Sequence, residues 1–365
     1  MRVLLDPQVF LLGYCGLLKY YTYLFHELKN AGIDIYSPVV YSSTRDFPGK
    51  YGPLPGWLPS KAEKLGGLAI TQWTRRTFYK EVAKKKYDVL FITSDLFETG
   101  FLKPLGLKPF VMTVHDTMIG VNGNGLFLDP NNQQGMRMGF LAHQSKQVIS
   151  VSNHTTQDLT SRFMIDPNKI NTIYHSNFLP EKSKALEHLP EQYVLFVGNR
   201  NGRKNFLGWI KAVGPYLKSQ AGLKVVVTGE LTEYEQFFLD ILEIKERVIS
   251  MVDVTDAQLN FLYRKALCLI YPSLYEGFGL PVLEAMANGC PVITTNRSSL
   301  PEVAGEAALY IDPESDESIL RGLKQMVNDA GVRTKFSEKG ILQSRKFSKE
   351  KFIQQVIHVL KRAAK

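Results

Sequence analysis

The chain has 365 residues, 44% hydrophobic and 22% charged, which suits about two globular domains and excludes a disordered or fibrous protein. Its net charge of +9 lies mainly in the first 180 residues and allows nucleic acid, anionic lipid or phosphorylated ligands as partners. No zinc-finger or RNA-binding signature supports nucleic acid, and Cys15, Cys268 and Cys290 are spaced for neither disulfides nor zinc.

A reducing, cytoplasmic setting is expected from that cysteine usage. Asp6 and Pro7 interrupt the first apolar stretch too early for a secretion signal. No run of about 18 apolar residues marks a membrane span.

In chain order, Arg2–Leu5 reads as a strand, followed by a glycine turn at 13–16 and a helix over Leu17–Ala31. Further strands are predicted at Ile33–Tyr36, Tyr87–Ile92, Pro109–Val114, Gln147–Val151 and Ile170–Tyr174. Thr44–Gly66, rich in Pro, Gly and Lys, reads as a long loop, and a helix is expected at Thr156–Phe163. A second alternation runs through Tyr193–Val197, Leu223–Thr228, Arg247–Met251, Ala266–Tyr271, Pro291–Thr294 and Ala308–Ile311. Lys349–Lys365 has the apolar spacing of an amphipathic helix.

This pattern predicts an α/β protein with two Rossmann-like halves. The expected organisation is a domain at 1–178, a linker at 179–192, a second domain at 193–345, and a helix at 346–365 crossing back to the first.

The chemistry concentrates between Tyr271 and Ile293. There a strand leads through Glu276-Gly277-Phe278-Gly279-Leu280-Pro281 into a helix bearing Glu284. Proline suits a helix start, and glycines let backbone approach a ligand. Loop amides and a helix N-terminus form a site for an anion, while carboxylates accept hydrogen bonds from sugar hydroxyls. Upstream, Phe196-Val-Gly198-Asn-Arg200-Asn-Gly202-Arg203-Lys204-Asn205 runs from strand into a basic loop suited to phosphate. In the first half, Val111–Val114 ends directly in His115-Asp116, at the strand end where ligands gather in such sheets. Asp116 is expected to orient His115 or cap the next helix. Ser152 is expected to help cap a helix, and His175 and Asn177 sit at the junction of the halves.

The run from Glu276 to Met286, with Ser299-Leu-Pro-Glu302-Val-Ala-Gly305 downstream, closely resembles the family-4 retaining glycosyltransferases of the GT-B fold. The resemblance is strongest over 193–312, moderate over 109–176 and weak over 36–90. It implies a nucleotide-sugar donor held by the second half. Glu276 would bind donor-sugar hydroxyls and Glu284 the ribose. Amides at Gly277, Phe278, Gly279 and Leu280 would touch sugar or diphosphate. Lys204 would neutralise the leaving diphosphate, together with either Arg200 or Arg203. His115 would contact the donor sugar, and Gly16 would approach donor and acceptor.

The catalytic candidates are therefore His115, Lys204 and Glu276. No Asp-x-Asp motif stands at a metal-binding position, so neither metal nor other cofactor is expected. The expected acceptor is a glycan or lipid-linked glycan, bound by the first half near His115 and the 44–66 loop. The basic, aromatic stretch Trp73–Lys86 adds an anionic membrane surface as a candidate partner, with the protein peripheral at its inner face. A nucleotide-sugar epimerase of the same fold and a non-catalytic glycan-binding relative are the alternative readings.

Overall fold

The computed structural model describes residues 1–12, 15–42, 60–93, 98–118, 133–200 and 202–365, with residues 60–67 as helical backbone. The first half contains β1 (Arg2–Leu5), α1 (Gly16–Asn30), β2 (Asp34–Tyr36), α2 (Ser60–Lys84), β3 (Val89–Ile92) and α3 (Leu102–Leu105). It continues with β4 (Phe110–Val114), α4 (Gln133–Gln144), β5 (Gln147–Ser150), α5 (Asn153–Ser161) and β6 (Ile170–Thr172). The second half contains β7 (Gln192–Phe196), α6 (Phe206–Ser219), β8 (Leu223–Thr228), α7 (Glu233–Ile241), β9 (Val248–Met251), α8 (Asp256–Lys265) and β10 (Cys268–Tyr271). It ends with α9 (Leu280–Ala287), β11 (Val292–Thr295), α10 (Leu300–Ala304), β12 (Leu309–Ile311), α11 (Asp316–Asn328), α12 (Ala330–Ser344) and α13 (Lys349–Ala363).

Two six-stranded sheets form, with strand orders β2-β1-β3-β4-β5-β6 and β12-β11-β10-β7-β8-β9. Every strand pair is parallel. Helices cover both faces of such sheets, which is why β3, β4, β5, β10 and β11 are buried along their whole length. The predicted α/β class and two-sheet architecture are those of the molecule. Each sheet packs between two apolar clusters. Helix α13 contributes Phe352, Val356 and Leu360 to the cluster beneath β1 and α1, so the chain ends on the first half.

Local chemistry sets several helix starts. Thr232 and Thr255 form capping boxes with Glu235 and Gln258, and the Ser152 hydroxyl accepts from the Thr155 amide. This serine cap starts α5 at Asn153, three residues before the predicted position. Helix α2 starts at Ser60, so residues 60–66 are helical, contrary to the predicted loop; 44–59 lie outside the described residues, as does Gly13.

Candidate active site

Strand order in the second sheet reverses between β7 and β10, and the loops leaving the carboxyl ends of these two strands build the site. After β7 the backbone turns at Gly198, with φ of 105°, and forms a helical turn at Gly202–Lys204. The Leu274 amide donates to the Arg203 carbonyl at 2.8 Å, tying this turn to the loop after β10. That loop is fixed from the other side by two serines. The Glu276 amide donates to Ser298 Oγ at 2.8 Å. The Ser299 hydroxyl is shared between the carbonyls of Glu276 and Phe278, each 2.9 Å away.

A buried charge cluster sits where the two loops meet. Lys204 Nζ donates to the Tyr271 hydroxyl at 2.6 Å and to Glu276 Oε1 at 2.5 Å. Arg203 Nη1 lies 3.7 Å from Glu276 Oε2 and 3.6 Å from Asp116 Oδ2. Burial opposes every one of these charges. For Lys204 burial prevails, aided by Arg203, and its pKa falls below the usual lysine range. For Glu276 burial is outweighed by Lys204 and Arg203, which hold its carboxyl below the usual range. For Arg203 burial is likewise outweighed, by Glu276 and Asp116. The cluster therefore sets the Glu276 carboxylate between Lys204 and Arg203.

Glu284 projects from α9, where its Oε2 accepts from the Tyr263 hydroxyl at 3.0 Å. Its Oε1 lies 3.7 Å from Lys19 Nζ, which comes from α1 in the first half.

The first half meets this surface at the end of β4. His115 Nε2 is 3.1 Å from the Tyr21 hydroxyl, and its ring stacks on His175 with centroids 5.6 Å apart. Burial pushes the His115 pKa down to about 3. Burial and the neighbouring His115 push His175 well below its usual value, so both rings are neutral. Phe278 continues the stack edge-on to His175 at 4.8 Å, linking the second half's loop to the first half's histidines. Asp116 accepts the Met118 amide at 3.0 Å and faces Arg203, while the His115 ring nitrogen Nε2 meets Tyr21.

The halves also touch backbone to backbone. A Cβ on Gly277 would lie 1.8 Å from the His115 carbonyl oxygen. A Cβ on Gly16 would lie 3.8 Å from Leu280 Cδ1, which places the start of α1 beside the same loop. Glu302 on α10 accepts the amides of Asn153 and His154, each at 2.8 Å, so a carboxylate of the second half seats on the N-terminus of α5 in the first. The Tyr275 hydroxyl lies 2.7 Å from Thr117 Oγ1 and donates to Asp158 at 2.8 Å.

Two family models match the chain nearly end to end. "Glycosyltransferase Family 4" covers residues 16–176 and "Glycosyl transferases group 1" covers 179–343. The O-antigen chain mannosyltransferase RfbU of Salmonella typhimurium is 30% identical over 284 residues, 72% of this chain and 78% of the relative. The chain belongs to the group 1 glycosyltransferases. The O-antigen chain mannosyltransferase B of Escherichia coli is 29% identical over 285 residues, 72% of each chain. The fold has a solved counterpart in the sucrose-phosphate synthase of Thermosynechococcus elongatus, with a TM-score of 0.75, 16% identity, and coverage of 99% of this chain and 98% of that one.

In this glycosyltransferase the two arginines of the basic loop separate cleanly. Arg200 Nε pairs with Glu235 at 2.9 Å, and its other nitrogens donate to the Thr228 and Glu230 carbonyls. Its charge is thus engaged on the β8–α7 side. Arg203 instead faces Glu276 and Asp116. Sequence reasoning gave no role to Tyr271, Tyr21, Lys19 or Glu302. Tyr271 closes β10 one residue before the Pro-Ser that opens the site loop, which is the one local signal for it. Lys19 and Glu302 act between the halves, while Tyr21 meets His115 within the first; Glu302 lies in the Ser299–Gly305 run, and no local pattern marks Lys19 or Tyr21.

Proposed function

We propose that this glycosyltransferase moves a hexosyl group, mannose first among the candidates, from a GDP- or UDP-linked donor to a glycan or lipid-linked glycan, with retention at the anomeric carbon. The observation that carries this reading is the Lys204–Glu276–Arg203 cluster at the reversal of the second sheet. The leaving diphosphate gathers negative charge as the glycosidic bond breaks, and preorganised donors stabilise that charge most in a site shielded from water. Lys204, Arg203 and the amides from Gly277 to Leu280 are the donors assigned here, with no metal in the scheme.

Glu276 Oε1 is engaged by Lys204. Its Oε2 lies 3.7 Å from Arg203, beyond hydrogen-bond length, and is assigned to a donor-sugar hydroxyl. Glu284 is assigned to the ribose. His115, neutral and held by Tyr21 and the His175 stack, is assigned to the donor sugar as a hydrogen-bonding group. In the resemblance-based scheme the acceptor attacks from the face the diphosphate leaves, and a phosphate oxygen takes its proton. The relatives named above supply mannose as the first sugar and a surface polysaccharide as the setting. The test is transfer from GDP-mannose in EDTA, with the anomeric proton of the product followed by NMR. An α-linked product from the α-linked donor is expected; a β-linked product overturns the retaining assignment.

We assign the exposed face of α2 to an anionic membrane surface. Trp73, Arg76, Lys80 and Lys84 fall along one stripe, with Lys85 and Lys86 just beyond. Among the described residues no helix is long and apolar enough to cross a membrane. Arg75 pairs with Glu98 and stands apart from the stripe. Charge reversal of Arg76, Lys80, Lys85 and Lys86 to Glu should reduce cosedimentation with phosphatidylglycerol vesicles and leave neutral vesicles unaffected. Undiminished cosedimentation removes this assignment.

A further inference from the structure

Lys19 takes no part in the transfer scheme above, yet it reaches from the first half to the ribose-assigned carboxylate of the second. It lies one turn inside α1. Its Nζ is 2.6 Å from Asp256 Oδ1, at the start of α8, and 3.7 Å from Glu284 Oε1. The Lys19 side chain is 13% exposed and that of Glu284 5%, so solvent ions screen their attraction little.

The two contacts differ in kind. The Asp256 contact is a short, charge-assisted hydrogen bond. The Glu284 contact exceeds hydrogen-bond length and is electrostatic. Glu284 Oε2 is engaged by the Tyr263 hydroxyl, which leaves Oε1 facing the ammonium. An ionised carboxylate only accepts hydrogen bonds, and a diol offers two donors. A diol at Oε1 can therefore add its hydroxyls while Lys19 stays anchored on Asp256.

We propose that Lys19 is a positioning residue for ribose recognition: held by Asp256, it keeps the Glu284 carboxylate oriented for the 2′- and 3′-hydroxyls of the nucleotide. Recognition of the ribose then depends on the first half being in contact with the second. This rests on the assignment of Glu284 to the ribose.

The test compares the affinities of GDP and UDP with those of their 2′,3′-dideoxy forms, by calorimetry, in the wild type, Lys19→Met, Lys19→Arg and Glu284→Gln. The wild type should prefer the ribose form roughly tenfold or more, the range of a hydrogen bond to a charged acceptor. Glu284→Gln should abolish most of that preference. Lys19→Met should abolish most of it too, and Lys19→Arg should retain it. A purely structural effect of Lys19→Met would weaken both forms equally and leave the ratio unchanged; that result overturns the proposal. If Glu284→Gln keeps the full preference, or the wild type binds neither diphosphate, the ribose assignment itself fails and the proposal with it.

Discussion

Lys204→Met will lower sugar transfer by about 10²–10³-fold, the cost of removing one preorganised donor from a developing anion. The methionine keeps the length and bulk of the side chain and removes only the ammonium. That ammonium is held at 2.6 Å from the Tyr271 hydroxyl and 2.5 Å from Glu276, so it is ordered before any ligand arrives. The same substitution will lower stability, because breaking a buried ion pair costs about 3–5 kcal/mol by stranding its partner. Glu276 keeps Arg203 nearby at 3.7 Å, which places the loss at the lower end. Lys204→Met combined with Glu276→Gln should recover part of the melting temperature and none of the activity. Initial rates of nucleoside diphosphate release with acceptor, read beside thermal unfolding, separate the two effects. Transfer near the wild-type rate in Lys204→Met would remove the lysine from the reaction.

Gly277→Ala will cost a comparable loss of transfer by a different route. The added Cβ would stand 1.8 Å from the His115 carbonyl oxygen and 2.8 Å from Asp116 Cβ. The first of these is backbone and cannot rotate away, so the two halves must separate locally. Separation draws His115 and Asp116 away from Glu276 and Arg203, and a misplacement of about 1 Å costs roughly 10²-fold in a positioned reaction. The second-half residues proposed to hold the nucleotide stay in place. Nucleoside diphosphate affinity should fall far less than the rate, and small-angle scattering should show a larger radius of gyration. A variant with wild-type rate and radius would mean that this backbone contact is not needed for transfer.

All twelve strands among the described residues were readable in the sequence because parallel, doubly covered strands are short apolar runs such as Val89–Ile92 and Cys268–Tyr271. Leu223–Thr228 matches the predicted bounds to the residue. The start of α2 was not readable: Gly66 and Gly67 lie inside it and mimic loop composition. Around the site, Glu276 and Lys204 stand on loops that strand, loop and glycine spacing mark locally, while the sequence left Arg200 and Arg203 as alternatives. The contacts between the halves were not readable. Glu302 meets Asn153 across 149 positions and Lys19 meets Glu284 from the opposite half, pairings that arise only when two sheets face one another. The Arg200–Glu235 pair likewise joins the basic loop to another helix across 35 positions, and no local pattern marks it.

In the proposed mechanism the second half holds a nucleoside diphosphate through the cluster around Arg203, Lys204 and Glu276. A thermal-shift screen of UDP, GDP, ADP and their common sugar conjugates in EDTA tests it most directly, since a ligand that binds only the folded state raises the melting temperature. One nucleotide should raise the midpoint of the wild type, and the rise should vanish in Arg203→Ala. No rise with any nucleotide, or a rise undiminished in Arg203→Ala, would contradict the claim.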